Sequence, residues 1–217
     1  MLIDKKSFRK VCKKRLEISS KRAKLYKDKL IQKKLLKIIK SYKPKKILLY
    51  IPFGFEADIR PIINIMRKKC TVFVPFMESV SFKIVKYRLP LREKRFSIKE
   101  PLNSSLKIDE VDMAVVPVLG VGRDYKRVGF GKGMYDRFFA NLKKRPTTIF
   151  VQIEKCFNKK ATTDKFDIQS DFYVTPKKIY ITRGKRDVRR DFNSRSRLDS
   201  GRSFRRNYPK KAGVVKI

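Results

Sequence analysis

Short runs of consecutive apolar residues alternate along this chain with segments of helical spacing, and this alternation restricts the fold more than any other feature. Continuous apolar runs of this length are typical of strands buried on both faces, as in parallel sheets covered by helices. The predicted strands are residues 47–51, 71–76, 82–89, 111–116, 148–153, 172–175 and 179–182. We therefore predict a three-layer α/β domain, with a largely parallel central sheet and helices on both faces.

Apolar residues three and four positions apart predict the helices that flank these strands. Phe8, Val11 and Cys12 share one face of a helix over residues 4–17, and Asp4 is placed to cap its first turn. The other predicted segments are a helix from the cap at Ser19 and Ser20 to about residue 40, helices over 59–69 and 133–142, and a loop over 90–110.

The apolar periodicity stops at Arg183, where Arg, Ser, Asn, Gly and Asp become the commonest residues. We therefore divide the chain into an α/β domain over residues 1–182 and a basic C-terminal tail over residues 183–217, which we expect to be disordered. The tail carries 13 Lys/Arg and 3 Asp/Glu. Such a segment suits weak, salt-sensitive binding of nucleic acid.

The whole chain is strongly basic, with 58 Lys/Arg against 20 Asp/Glu and a formal net charge of +38. A charge of this size is expected of a nucleic-acid binder. However, most of the excess is spread over the first 182 residues rather than gathered in one segment. This distribution favours an anionic small molecule over nucleic acid as the main partner.

Residue types that are missing or scarce exclude several kinds of chemistry. The chain has no histidine, which excludes Ser-His and Cys-His nucleophile systems and His-ligated zinc. Cys12, Cys70 and Cys156 are so widely spaced that we expect neither a disulfide framework nor a CxxC metal site. No apolar run is long enough to cross a membrane, and the first residues lack the apolar core of a signal peptide. We expect a reduced, cytoplasmic protein.

A glycine-rich loop over residues 127–137, RVGFGKGMYDR, is the most informative segment. Its three alternating glycines let backbone amides approach an anion, while Arg127 and Lys132 can neutralise phosphate charge. Asp136 is placed to hold a Mg²⁺ ion that bridges phosphate oxygens. The spacing fits neither a Walker A loop nor a GxGxxG fingerprint. A tight, solvated turn with no ligand remains the alternative interpretation.

Residues 112–138, which contain this loop, resemble the signature of the 5-formyltetrahydrofolate cyclo-ligase (methenyltetrahydrofolate synthetase) family. In that family an apolar strand and an Asp-containing loop precede Gly-x-Arg-Leu-Gly-Tyr-Gly-Gly-Gly-Tyr-Tyr-Asp-Arg. Three more segments resemble family elements, namely the nucleotide motif at 5–9 (KKSFR), the folate element at 50–56 (YIPFGFE), and the late His-Asp…Val-Thr segment at 166–175. Met134 and Phe166 replace a tyrosine and a histidine of the family pattern.

The resemblance implies an ATP-dependent ligase that converts 5-formyltetrahydrofolate to 5,10-methenyltetrahydrofolate and releases ADP and phosphate. Phosphorylation of the formyl oxygen would turn a poor leaving group into a good one, so positioning and charge stabilisation suffice without a histidine base. ATP is then a co-substrate and Mg²⁺ the cofactor. The alternative is an inactive α/β protein that acts as a basic RNA-binding or other nucleic-acid-binding factor.

The resemblance also implies which residues contact the ligands. Those implied for ATP are Lys5, Lys6, Arg9, Arg127, Val128, Gly129, Phe130, Gly131, Lys132, Gly133, Met134 and Tyr135. Those implied for the folate substrate are Phe53, Glu56, Phe130, Gly131, Lys132, Gly133 and Met134. Asp136 and Asp167 are implied as Mg²⁺ ligands, and no catalytic side chain is assigned.

Each charged residue in this set has a structural alternative. Glu56 and Asp136 could cap the helices that follow them, and Asp167 could pair with a neighbouring lysine. The cations over residues 5–9 could form a solvated helix face.

Overall fold

The computed structural model of the chain describes residues 4–78, 81–93, 99–101, 108–160 and 163–182. The predicted tail over residues 183–217 lies outside the described residues. The domain boundary at residue 182 therefore stays a prediction.

A seven-stranded sheet forms the centre of the structure. In sheet order its strands are β11 (Ile179–Ile181), β10 (Phe172–Val174), β9 (Thr147–Val151), β6 (Met113–Pro117), β1 (Lys46–Leu48), β2 (Thr71–Met77) and β3 (Phe82–Lys86). The five inner strands pair in parallel, and the edge strands β3 and β11 are antiparallel to their neighbours. This confirms the predicted, largely parallel sheet.

Helices cover both faces of this sheet. The described residues form four α-helices, α1 (Lys5–Ser20), α2 (Lys24–Tyr42), α3 (Arg60–Met66) and α4 (Met134–Ala140). Successive side chains of a strand point to opposite faces. Accordingly, Ile47 and Leu49 pack into one apolar cluster with α1, α2 and α3, while Leu48 packs into a second cluster with Phe138 of α4. The three-layer architecture is confirmed.

The start of the second helix was predicted wrongly. Ser19 and Ser20 belong to α1, where the Ser20 hydroxyl donates to the Glu17 carbonyl oxygen at 2.8 Å instead of capping a new helix. The chain turns after α1, and Ala23 takes a left-handed conformation with φ of 48° before α2 begins at Lys24. A serine can bond its own preceding turn as well as cap a following one, so the pair alone does not locate the boundary.

Two further pairs of short strands, one of which leads into the glycine-rich loop, were not predicted from local patterning. These are the antiparallel pairs β4 (Arg92–Glu93) with β5 (Lys99–Glu100), inside the predicted loop over 90–110, and β7 (Gly120–Val121) with β8 (Arg127–Val128). The glycine-rich loop therefore starts from a paired strand, which fixes the position of Arg127.

The cysteine prediction is wrong for two of the three residues. Cys12 on the buried face of α1 and Cys156 after β9 form a disulfide, whereas Cys70 is free. Their separation of 144 residues along the chain gave no sign that the Cα atoms lie 5.7 Å apart.

The described part of the chain contains no helix long and apolar enough to cross a membrane.

Candidate active site

Two adjoining cavities lie at the carboxyl ends of β1 and β6. In the sheet, β1 and β6 are neighbours, β2 lies on the far side of β1, and β9 lies on the far side of β6. The connections after β1 and β6 therefore lead in opposite directions, and a crevice forms between them. One cavity has a volume of about 330 Å³ and a largely charged lining, and the other has a volume of about 430 Å³ and a largely apolar lining. Arg127 and Gly133 line both.

The polar cavity brings cations from α1 against the glycine-rich loop. Its lining residues are Lys5, Arg9, Arg127, Gly129, Gly131, Gly133, Asp136, Arg137, Ala140, Asp164, Phe166 and Asp167. The Asp4 side chain accepts from the backbone amides of Lys6 and Ser7, and this cap fixes the start of α1. The helix then carries Arg9 to the loop, where its Nε donates to the Gly129 carbonyl oxygen at 2.9 Å.

Lys5 lies between two carboxylates at one side of this cavity. Its Nζ is 2.5 Å from Asp164 Oδ2 and 2.6 Å from Asp167 Oδ2. Burial lowers the pKa of Lys5, but the hydrogen bonds to both aspartates outweigh burial and leave that pKa raised. Asp167 thus pairs with a lysine, as the structural alternative proposed, while it also lines the cavity.

Asp136 does not cap α4. The N-cap position is held by Gly133, with φ of 57°. Asp136 Oδ1 instead accepts from the Ile168 amide at 3.2 Å, and its Oδ2 lies 3.5 Å from Arg127 Nη1. These contacts join the glycine-rich loop to the segment that carries Asp167.

Arg127 is the most enclosed cation of the site, with 6 % of its surface exposed. Its guanidinium lies 4.8 Å from the centroid of the Tyr135 ring, and its Nε has no hydrogen-bond partner among the described residues. A buried donor without a partner costs free energy. Arg127 itself lines both cavities, so this residue lies at their junction.

The loop needs glycine at the positions beside the guanidinium groups of Arg127 and Arg9. A Cβ at Gly129 would lie 2.5 Å from Arg127 Nη1. Gly131 has φ of +106° and Gly133 has φ of +57°, conformations that other residues rarely adopt. The alternating glycines therefore let the backbone pass close to both guanidinium groups.

The apolar cavity is built from the ends of β1, β2 and β6 and from the glycine-rich loop. Its lining residues are Tyr50, Ile51, Phe53, Glu56, Pro75, Met77, Phe82, Pro117, Arg127, Phe130, Lys132, Gly133, Met134 and Tyr135. The rings of Phe53 and Phe130 are about half exposed. A largely apolar slot with a few polar groups is typical of a site for a flat organic ligand.

Glu56 supplies the carboxyl group of the apolar cavity. Its Oε2 accepts from the Phe53 amide at 3.0 Å, and it does not cap α3, whose N-cap is Ile59. Burial raises the pKa of Glu56 to about 7, although the Phe53 amide, Arg127 and Lys24 act in the opposite direction. The carboxyl therefore titrates near neutral pH.

The predicted site residues are brought together with a few exceptions. Lys6 is exposed on α1 and lines neither cavity, and Val128 is buried in β8. Within the set implied for ATP, Phe130, Lys132, Met134 and Tyr135 line the apolar cavity and not the polar one.

Sequence reasoning missed further residues that line the cavities. The missed residues are Asp164, Arg137, Phe166 and Ala140 in the polar cavity, and Tyr50, Ile51, Pro75, Met77, Phe82 and Pro117 in the apolar cavity. Several of these follow or end predicted parallel strands, which is a signal that could have found them.

Comparisons with known proteins agree with this architecture. Residues 2–160 match the model of the 5-formyltetrahydrofolate cyclo-ligase family. A relative of that name from Mycoplasma genitalium is 24 % identical over 177 residues, which cover 80 % of this chain and 98 % of the relative. One from Mycoplasma pneumoniae is 26 % identical over 176 residues, covering 79 % and 98 %.

Solved structures show the same fold. The NMR structure of Aquifex aeolicus 5,10-methenyltetrahydrofolate synthetase superposes with a TM-score of 0.69 and 27 % identity, and the match covers 82 % of this chain and 93 % of that one. A 5,10-methenyltetrahydrofolate synthetase from Mycoplasma pneumoniae has a TM-score of 0.61 at 21 % identity, which shows the fold alone, with 79 % and 98 % covered. Because the family model spans most of the sequence, this chain belongs to the 5-formyltetrahydrofolate cyclo-ligase family.

Proposed function

We propose that this chain closes 5-formyltetrahydrofolate to 5,10-methenyltetrahydrofolate while ATP becomes ADP and phosphate. The observation that carries the proposal is the junction at Arg127, where a cation-lined cavity meets an apolar cavity that holds one carboxyl group. A triphosphate requires the first kind of lining and a pterin the second. Phosphoryl transfer between them requires that the two cavities meet.

The polar cavity suits the triphosphate of ATP. Lys5, Arg9 and Arg127 line it together with the three glycines of the loop. Arginine binds phosphate through paired N–H donors, and charge-assisted hydrogen bonds of this kind are the strongest available. ATP binding would draw Lys5 partly away from Asp164 and Asp167, because a triphosphate competes with these carboxylates for the ammonium.

Asp136 and Asp167 would hold Mg²⁺ in this cavity. Both carboxylates line it, and the described residues contain no group of three or more potential metal ligands. This suits Mg²⁺, which usually takes one or two protein carboxylates and completes its coordination with phosphate oxygens and water. When bound there, the ion would neutralise phosphate charge.

The apolar cavity suits the folate substrate. Glu56 would accept hydrogen bonds from the ring N–H and amino groups of the pterin, while Phe53, Phe130 and Met134 would contact its ring. The pterin's N5 formyl group would then lie towards Arg127, where the cavities meet.

The reaction would proceed by positioning and charge stabilisation. The formyl oxygen attacks the γ-phosphorus and the bond to the β-phosphate oxygen breaks, which releases ADP. N10 then attacks the formyl carbon and loses its proton, and phosphate leaves with the former formyl oxygen. Arg127, which lines both cavities, would stabilise the negative charge on the transferring phosphoryl group.

The experiment that tests this function is an absorbance assay for methenyltetrahydrofolate. Purified protein is incubated with 5-formyltetrahydrofolate and Mg²⁺, with and without ATP. We expect product only when ATP is present. Salt-sensitive retention of RNA without any turnover would instead support the alternative of an inactive nucleic-acid-binding protein, which the comparisons do not favour.

Replacing Glu56 by glutamine should raise the KM for folate about tenfold, because an amide lacks the negative charge that faces the pterin donors. The KM for ATP should change little. In the unaltered protein the folate KM should rise as the pH falls through about 7, since the raised pKa of Glu56 leaves the carboxyl neutral below that value. The glutamine variant should lack this pH dependence. Glu17→Gln, on the surface of α1, is the control. Equal changes in both KM values would contradict the assignment.

Ending the chain at Thr182 should leave kcat and both KM values unchanged and weaken retention on RNA at low salt. The tail adds 13 cations and few apolar residues, so it suits polyanions better than a packed site. The measurement compares the shortened and full chains at two salt concentrations. A tenfold rise in either KM would place the tail in the active site.

A further inference from the structure

Phe166 stands apart from the other residues that line the polar cavity. It carries the only aromatic ring among them, and 75 % of its surface is exposed. It belongs to none of the apolar clusters formed by the described residues. Packing therefore does not account for a large apolar side chain at this position.

The turn that carries Phe166 is held firmly in place. Asp164 N donates to Asp167 Oδ2 at 2.6 Å, and Lys126 Nζ donates to the Asp164 carbonyl oxygen at 2.8 Å. Lys5 Nζ contacts both aspartates and lies 5.9 Å from the centroid of the Phe166 ring. The ring is thus presented beside the cations at a defined position.

We propose that Phe166 is the surface on which the nucleobase of ATP stacks. This inference rests on the proposed function for the identity of the nucleotide. The base is the flat, weakly polar part of ATP, and the rest of the molecule is charged or hydroxylated. The cations of the cavity suit the triphosphate, which leaves Phe166, with Ala140 lining the same cavity, for the base.

Stacking on a single ring has a consequence for specificity. Every base has a π-face, so stacking discriminates by ring size more than by hydrogen-bonding pattern. ATP and GTP should therefore bind with similar affinity, and CTP and UTP should bind more weakly. Replacing Phe166 by alanine should remove most of this preference for purines.

The first test compares binding of ATP and of inorganic tripolyphosphate, which has no base, by calorimetry without folate. Phe166→Ala should weaken ATP binding about tenfold, as expected when a stacking ring is removed, and leave tripolyphosphate binding unchanged. Tyr26→Ala removes a similarly exposed ring that lines neither cavity and should change neither affinity. Equal weakening of both ligands, or unchanged ATP binding, would overturn the proposal.

The second test uses the absence of tryptophan from the chain. Phe166→Trp should keep the ATP affinity of the unaltered protein and introduce the chain's single tryptophan at the stacking surface. ATP should quench its fluorescence saturably, and tripolyphosphate should compete with ATP without quenching. Quenching by both ligands alike, or by neither, would contradict stacking. Because neither test involves folate, ATP-specific quenching in a protein without cyclo-ligase activity would support the base site and reject the proposed reaction.

Discussion

Asp136→Asn is expected to lower kcat about a hundredfold or more at saturating substrates, and to raise the Mg²⁺ concentration needed for half-maximal rate. The asparagine oxygen can still accept from the Ile168 amide, but the charge that faces a metal-bound triphosphate is lost. Steady-state rates across a Mg²⁺ series give the measurement.

The variant also leaves the buried Arg127 guanidinium without its carboxylate partner, so a lower melting temperature is expected. Rates are therefore measured well below that temperature. Asp109→Asn is the matched control, since this aspartate pairs with Lys143 at 2.8 Å and lines neither cavity. Wild-type turnover of Asp136→Asn at limiting Mg²⁺ would remove Asp136 from the metal site.

Arg127→Lys is expected to lower kcat about a hundredfold while both KM values change less. Lysine keeps the positive charge but lacks the planar fork that can contact Asp136 and a phosphoryl group together. A group that stabilises charge developing only in the transition state affects kcat more than binding of either substrate. Steady-state kinetics with each substrate varied in turn separates these effects.

Arg145→Lys is the matched control for this substitution. Arg145 Nη1 lies 3.3 Å from Asp171 Oδ1, a buried carboxylate, and Arg145 lines neither cavity. It should show wild-type kinetics. If Arg127→Lys instead raised the ATP KM tenfold with unchanged kcat, Arg127 would bind ATP equally in the ground state and the transition state.

Features encoded by neighbouring residues could be predicted from the sequence. The apolar run before Pro117 marks a buried parallel strand, and the structure has β6 there. The glycines and Arg127 lie within a few residues of one another, so their proximity follows from the chain itself. The capping position of Asp4 likewise depends only on adjacent amides.

Features that depend on distant segments could not be predicted in this way. The pairing of Cys12 with Cys156 requires the packing of α1 against the segment after β9. The apolar cavity combines Tyr50, which follows β1, with Met77 and Pro117 at the ends of β2 and β6, and the order of these strands in the sheet is absent from local patterning. The contact of Lys5 with Asp164 spans 159 residues. Only the folded sheet brings these groups together.

In the proposed reaction the formyl oxygen of the folate is phosphorylated where the two cavities meet. The most direct measurement uses 5-formyltetrahydrofolate labelled with ¹⁸O in the formyl group and follows the label by mass spectrometry of the released phosphate. We predict one ¹⁸O atom in the phosphate for each methenyltetrahydrofolate formed, with one ADP. Methenyltetrahydrofolate formed with unlabelled phosphate, or ADP released without ring closure, would contradict this reaction.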